Sequence, residues 1–181
     1  MKRMARIAVL LSLVEELKKN GSWCGETHIQ KTTYFLQRML EDDLGLDFIL
    51  YKHGPYSFDL SEELGRLRAD NLVKVVPQNP YGPRMLPGRA WADLKETFPK
   101  TINRYAKKVS FLGHWLGNKG VAELEKLATA LYVTKELNIE GGQRAEKIHE
   151  LKPHVSLEEA RAALNELDMQ MDSVRELVAA V

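Results

Sequence analysis

Cysteine is nearly absent: Cys24 stands alone among 181 residues, so no disulfide can form within the chain and no cysteine zinc knuckle can be built. An excess of either charge is missing too. The 26 Lys and Arg against 25 Asp and Glu leave a formal +1, whereas a dedicated non-specific nucleic-acid binder carries a clear basic surplus. Long apolar runs are also lacking. Ile7-Ala8-Val9-Leu10-Leu11 is broken by Ser12 and then by Glu15-Glu16, which is too short to span a bilayer. Basic Lys2, Arg3 and Arg6 precede that run as they would in a signal peptide. The pattern nevertheless continues through Leu13, Val14 and Leu17 with no small-residue cleavage site. It reads as an amphipathic core helix, and the chain as a soluble cytoplasmic protein.

Catalytic signatures are missing as well. No Gly-rich phosphate loop, paired-histidine zinc motif or Ser-His-Asp arrangement stands in the sequence. His149 and His154 are separated by Pro153, which breaks the regular helical spacing of a metal pair. Cys24, Glu26 and His28 alternate closely, with His53 elsewhere, but without the helix-terminus context, base and orienting partner that a thiol nucleophile needs. The sequence therefore assigns no catalytic residue, no metal and no cofactor.

What is present is an ordinary folded composition, 44% hydrophobic and 28% charged, at a length that suits one domain or one domain with a helical extension. Apolar spacing predicts a helix over 4–19, stopped by Asn20-Gly21. A second helix is expected from Thr27, with Gln30 three residues on as a capping box. Phe48, Ile49 and Tyr51 mark a strand within 46–52. His53-Gly54-Pro55-Tyr56 then reads as a turn. A third helix over 58–71 carries Leu60, Leu64 and Leu67 on one side. Residues 72–76 and Arg84-Met85-Leu86 form the arms of a hairpin around the Asn79-Pro80-Tyr81-Gly82-Pro83 turn.

Beyond lie helices over 91–98, 100–116, 121–137 and 144–151. A closing helix to about 179 is opened by the Ser156/Glu159 capping box. The expected fold is mainly α with a small β-sheet: a winged-helix-like unit over 1–90 and a helical extension over 91–181 packed on it.

Two surfaces stand out. Tyr51-Lys52-His53-Gly54-Pro55-Tyr56-Ser57 joins a strand to a helix and offers backbone donors and aromatic edges to a partner. The alternative is a turn fixed by Gly54 and Pro55, with Tyr51 and Tyr56 packed on neighbouring helices. The other surface is basic: Lys100, Arg104, Lys107 and Lys108 on one helix, with Arg84 and Arg89 at the hairpin. It is either a nucleic-acid face or a solvated one. The third helix, in the place of a DNA-reading helix, carries Asp59, Glu62 and Glu63 beside Arg66 and Arg68, and its acidic first turn would meet phosphates unfavourably.

The stretch Lys31-Thr32-Thr33-Tyr34-Phe35-Leu36-Gln37, then 48–52, Gly54-Pro55-Tyr56-Ser57 and Leu60-x-x-x-Leu64-x-x-Leu67, resembles the YwgA-like proteins of bacteria and archaea and the related Panacea, or SocA-like antitoxin, domains. The likeness covers about residues 27–76. A weaker likeness continues at Leu124-Glu125-x-x-Ala128-Thr129 and Lys152-Pro153-His154. It implies recognition of a protein partner, such as neutralising a toxin or presenting a client to a protease. It implies no catalytic residue.

Two functions are therefore expected to compete. One is a non-enzymatic interaction module that binds a protein through Tyr51, His53, Gly54, Pro55, Tyr56, Ser57 and Trp91, with Tyr81 a further aromatic anchor. The other is a winged-helix regulator that grips duplex DNA through Arg84, Arg89, Lys100, Arg104, Lys107 and Lys108. The apolar stripe Leu157, Ala160, Leu164, Leu167, Met171, Val174 and Leu177 either packs on the 121–137 helix or forms a homodimer seam.

Overall fold

The computed structural model describes residues 1–78 and 82–179, the last four by backbone alone. The Asn79-Pro80-Tyr81 turn and the Tyr81 anchor lie outside the described residues, as does the side chain of Leu177. The described residues are mainly helical, with two small antiparallel sheets of two strands each among them.

Helix α1 (Arg3–Lys19) is the axis of the core. An amphipathic helix would bury one stripe, but here Ile7, Ala8, Val9, Leu10, Leu11, Leu13, Val14 and Leu17 are all fully buried. The helix is apolar all round because it is enclosed all round. This corrects the amphipathic expectation. Its main partner is α5 (Pro99–Leu116), which starts on Pro99, a residue pre-set for the first helical position. Arg3 and Arg6 clasp the buried Glu63 carboxylate on α3 (Phe58–Ala69), with Arg3 Nη2 2.6 Å from Oε1. Burial raises that carboxyl's pKa, and the two guanidinium groups outweigh it, so the net shift is downward.

Helix α2 (Glu26–Arg38) begins one residue before the expected Thr27, at an N-cap Gly25 with no side-chain cap. The Thr27/Gln30 capping box does not form, because Gln30 is fully buried and bonded elsewhere. Strand β1 (Ile49–Tyr51) pairs with β2 (Gly54–Tyr56) through a two-residue turn, Lys52-His53. Gly54-Pro55-Tyr56, expected as a turn, is thus a strand. The second hairpin joins β3 (Val73–Val76) to β4 (Arg84–Pro87). A winged helix would add β1 to that hairpin; here β1 pairs with β2 in a sheet of its own.

Helices α4 (Trp91–Thr97), α6 (Val121–Lys135), α7 (Gln143–Leu151) and α8 (Leu157–Ala179) complete the chain. The first turn of α8 has its predicted box: Glu159 N–H donates to Ser156 Oγ, and Ser156 N–H donates to the Glu159 carboxylate. Backbone and side-chain donors, first of all the Ser156 amide, hold Glu159 down at about 2. The α8 stripe packs on α6 and α7, with Ala160, Leu164, Leu167 and Val174 buried. No helix among the described residues is long and apolar enough to cross a membrane.

Candidate functional site

The β1–β2 hairpin is clamped from beneath by side chains of α2. Both polar ends of the Gln30 amide bond the backbone of Ser57: Ser57 N–H donates to Oε1 and Nε2 donates to the Ser57 carbonyl, each at 2.9 Å. Lys31 Nζ donates to the Pro55 carbonyl at 2.7 Å. Glu26 accepts from the Tyr56 hydroxyl at 2.9 Å and from Ser61 at 2.7 Å. Ser57 in turn caps α3, its Oγ accepting from Leu60 N–H.

Gly54 adopts a positive φ of 85° and lies so close to α6 that an added Cβ would sit 3.3 Å from Thr129 Oγ1 and 3.5 Å from Lys31 Cε. Both the conformation and the space call for glycine there.

Under the hairpin the chain buries three charges. Lys31 is 1% exposed, Lys152 5% and Glu125 6%. Lys152 Nζ donates to the carbonyls of Tyr51 and Lys52 and lies 3.3 Å from Glu125 Oε1. His154 and His53, both exposed, approach the same carboxylate at 3.4 and 3.6 Å. One acid thus sits among two lysines and two imidazoles. Burial is the first cause of a drop in the Lys31 ammonium to about 8; Glu125 opposes it and Lys152 adds to it. The short stretches at 31–37, 54–57, 124–129 and 152–154, far apart in the chain, meet here.

Above the clamp, Tyr51, Tyr56 and Phe58 form a ring cluster with centroids 5.1 to 5.8 Å apart. Tyr51 is 54% exposed and Phe58 59%, with Ile49 beside them in β1 at 49%. A small cleft of about 240 Å³ opens next to them, walled by Lys31, His53, Gly54 and Tyr56. Of the alternative in which both tyrosines pack on neighbouring helices, Tyr56 fits, half-buried and bonded to Glu26 of α2, whereas the Tyr51 ring lies against the Phe58 and Tyr56 rings and stays more than half exposed.

The other expected residues lie elsewhere. Trp91, expected on the partner surface, is 4% exposed and sits in the core on α4, which packs on α1 and α5. It is a corrected assignment: the aromatic supplies core area. Phe58, Glu125 and Lys152 are the residues that belong at the site without having been assigned to it. Of the basic set, Arg89, Lys100, Arg104 and Lys107 are exposed, while Lys108 is half-buried and paired with Asp42 at 2.6 Å. Arg104 opens on a cleft that also holds Glu41, Asp42 and Asp43. Arg84 stacks over Trp23 at 5.6 Å.

Cys24 is buried, with burial pushing its thiol up. His149 Nδ1 lies 2.7 Å from the Val155 carbonyl. Among the described residues, no group of three or more His, Cys, Asp or Glu is placed to hold a metal ion. Comparison with protein-family models and with curated proteins finds no match.

Proposed function

We propose that this chain is a non-enzymatic protein-interaction module, antitoxin-like or regulatory, that binds its partner through the outer face of the β1–β2 hairpin. One observation carries the reading: Tyr51 and Phe58 stand exposed against the half-buried Tyr56 on a backbone that is clamped from below. Exposed aromatics with fixed geometry are the side chains that dominate protein interfaces. A backbone already held by Gln30, Lys31 and Lys152 loses little freedom on binding. The rim carries Lys52 and His53, so the partner presents an apolar centre with an acidic margin.

Duplex-DNA binding is the rival reading, and the electrostatics favour it less. Phosphate contacts dominate such binding, yet Lys108 is neutralised by Asp42, Arg66 on α3 is paired with Glu62, and Arg104 shares its cleft with three carboxylates.

The test is purification of the tagged chain from its own host at low and high salt, beside the double variant Tyr51→Ser/Phe58→Ser. A stoichiometric protein that survives high salt with the parent chain and is lost from the variant is the expected result. A partner retained by the variant, or nucleic acid alone released as salt rises, overturns the proposal.

A further inference from the structure

Next to the hairpin cleft, sharing Glu26 and Thr27 with it, lies a larger one of about 730 Å³, in the size range of small-ligand pockets. Three chain segments build it: 21–28, 82–85 and 117–121. They are bound to one another, since Met85 N–H donates to the Cys24 carbonyl at 2.8 Å and His28 Nε2 reaches the Lys119 carbonyl at 2.9 Å.

Two helices begin at this cleft. The 13-residue α2 starts from Gly25 and the 15-residue α6 from Gly120. Neither glycine has a side chain with which to cap the amides that follow, so both first turns offer N–H donors and the positive ends of their dipoles. The Glu123 carboxylate takes the Gly120 N–H at 2.8 Å and leaves the amides of the first turn proper uncapped.

Two further side chains in the wall lack what they need. Arg84 is half-buried on β4 with its guanidinium over Trp23. No hydrogen bond or ion pair engages it among the described residues, and its Nε is covered without an acceptor. A sheltered guanidinium without a carboxylate calls for an anion. His28 is 4% exposed, and its Nδ1 has no partner. Because Nε2 faces a carbonyl it carries the ring proton, and burial keeps the imidazole neutral, so Nδ1 presents a lone pair.

We infer that this cleft binds a small organic anion, its phosphate or carboxylate head held between Arg84 and the opening amides of α2 and α6. Nothing in this inference depends on the hairpin's partner, since the two clefts share only the wall formed by Glu26 and Thr27.

The experiment is an amide-resolved NMR titration of the full chain with sodium pyrophosphate and, separately, with citrate, against sodium chloride at matched ionic strength. Saturable shifts at the amides of Gly25, Glu26, Thr27, Gly120 and Val121 are expected. Pyrophosphate alone saturating assigns a phosphate head, and citrate alone a carboxylate. Arg84→Gln weakens binding by about tenfold or more, the scale of a lost charge-assisted contact. A second variant, Val121→Pro, removes one amide at the first position of α6, where proline is tolerated, and weakens it by about threefold. Shifts that never saturate, that scatter over Lys100–Lys108, or that persist unchanged in both variants overturn the inference.

Discussion

Lys31 holds a positive charge at 1% exposure under the hairpin, and its removal by pH has a calculable effect on stability. Its ammonium ionises at about 8 in the folded chain against an ordinary 10.5. At about 1.36 kcal/mol for each pH unit, that difference is about 3 kcal/mol. The sign follows from proton counts. Between pH 8 and 10.5 the unfolded chain keeps the proton that the folded chain has released, so stability rises with pH across that window. Below pH 8 both states are charged and the full penalty stands; above 10.5 both are neutral and it is gone.

Other groups titrate in the same range, so the quantity to measure is a difference. Urea unfolding of the parent chain and of Lys31→Met at half-unit steps from pH 7 to 10.5 isolates it. The stability of the parent relative to the variant should climb by about 3 kcal/mol across the series. A flat difference would refute the placement of a charged amine in that environment. A falling one would mean that Glu125 stabilises the ammonium more than burial destabilises it.

Two further predictions concern the frame that carries the clefts. A Cβ on Gly88 would lie 2.1 Å from the Asn71 carbonyl oxygen, where backbone meets backbone; Gly88→Ala should therefore cost about 2 kcal/mol or more in thermal or urea unfolding. A loss under about half a kcal/mol would show that the β3–β4 hairpin moves freely away from α3. Ser156→Ala removes the Oγ that accepts from Glu159 N–H and should destabilise by about 1 kcal/mol. Because it also removes one of the donors that hold Glu159 near 2, the carboxyl should titrate closer to an ordinary glutamate by NMR.

The helices were readable because their signals are local. Ser156 with Glu159, Pro99 at the head of α5, and the Asn20-Gly21 stop of α1 act within one turn of chain. The hairpin at 49–56 was misread at Gly54-Pro55-Tyr56 for a related reason. Glycine and proline announce a turn in sequence, yet here Gly54 supplies a positive φ at the first strand position after the turn, and the turn itself is Lys52-His53.

Gln30 shows the opposite failure. Its spacing from Thr27 fits a cap, but the buried Gln30 amide has a stronger claim on it, the backbone of Ser57, whose N–H it accepts and whose carbonyl it shares with Ser61 N–H. Glu125 and Lys152 enter the sequence reading only within the weaker family likeness and without a role, because a charged side chain reads as solvated until tertiary contacts close over it. The available clue was Lys31 itself, a charge in a helix whose residues 28–37 are all buried. Trp91 went the other way: a tryptophan after a loop looks like an anchor, and only the packing of α4 on α1 and α5 makes it core.

The enclosure of α1 has a consequence for the chain while it is being made. This helix carries apolar side chains on every face, and its chief cover, α5, is encoded about 80 residues later. At roughly 5–20 residues per second of synthesis, α5 follows α1 by about 4 to 16 seconds, and in that interval α2, β4 and α4 become available to cover it. The growing polypeptide thus makes this apolar helix well before the helix that covers most of it.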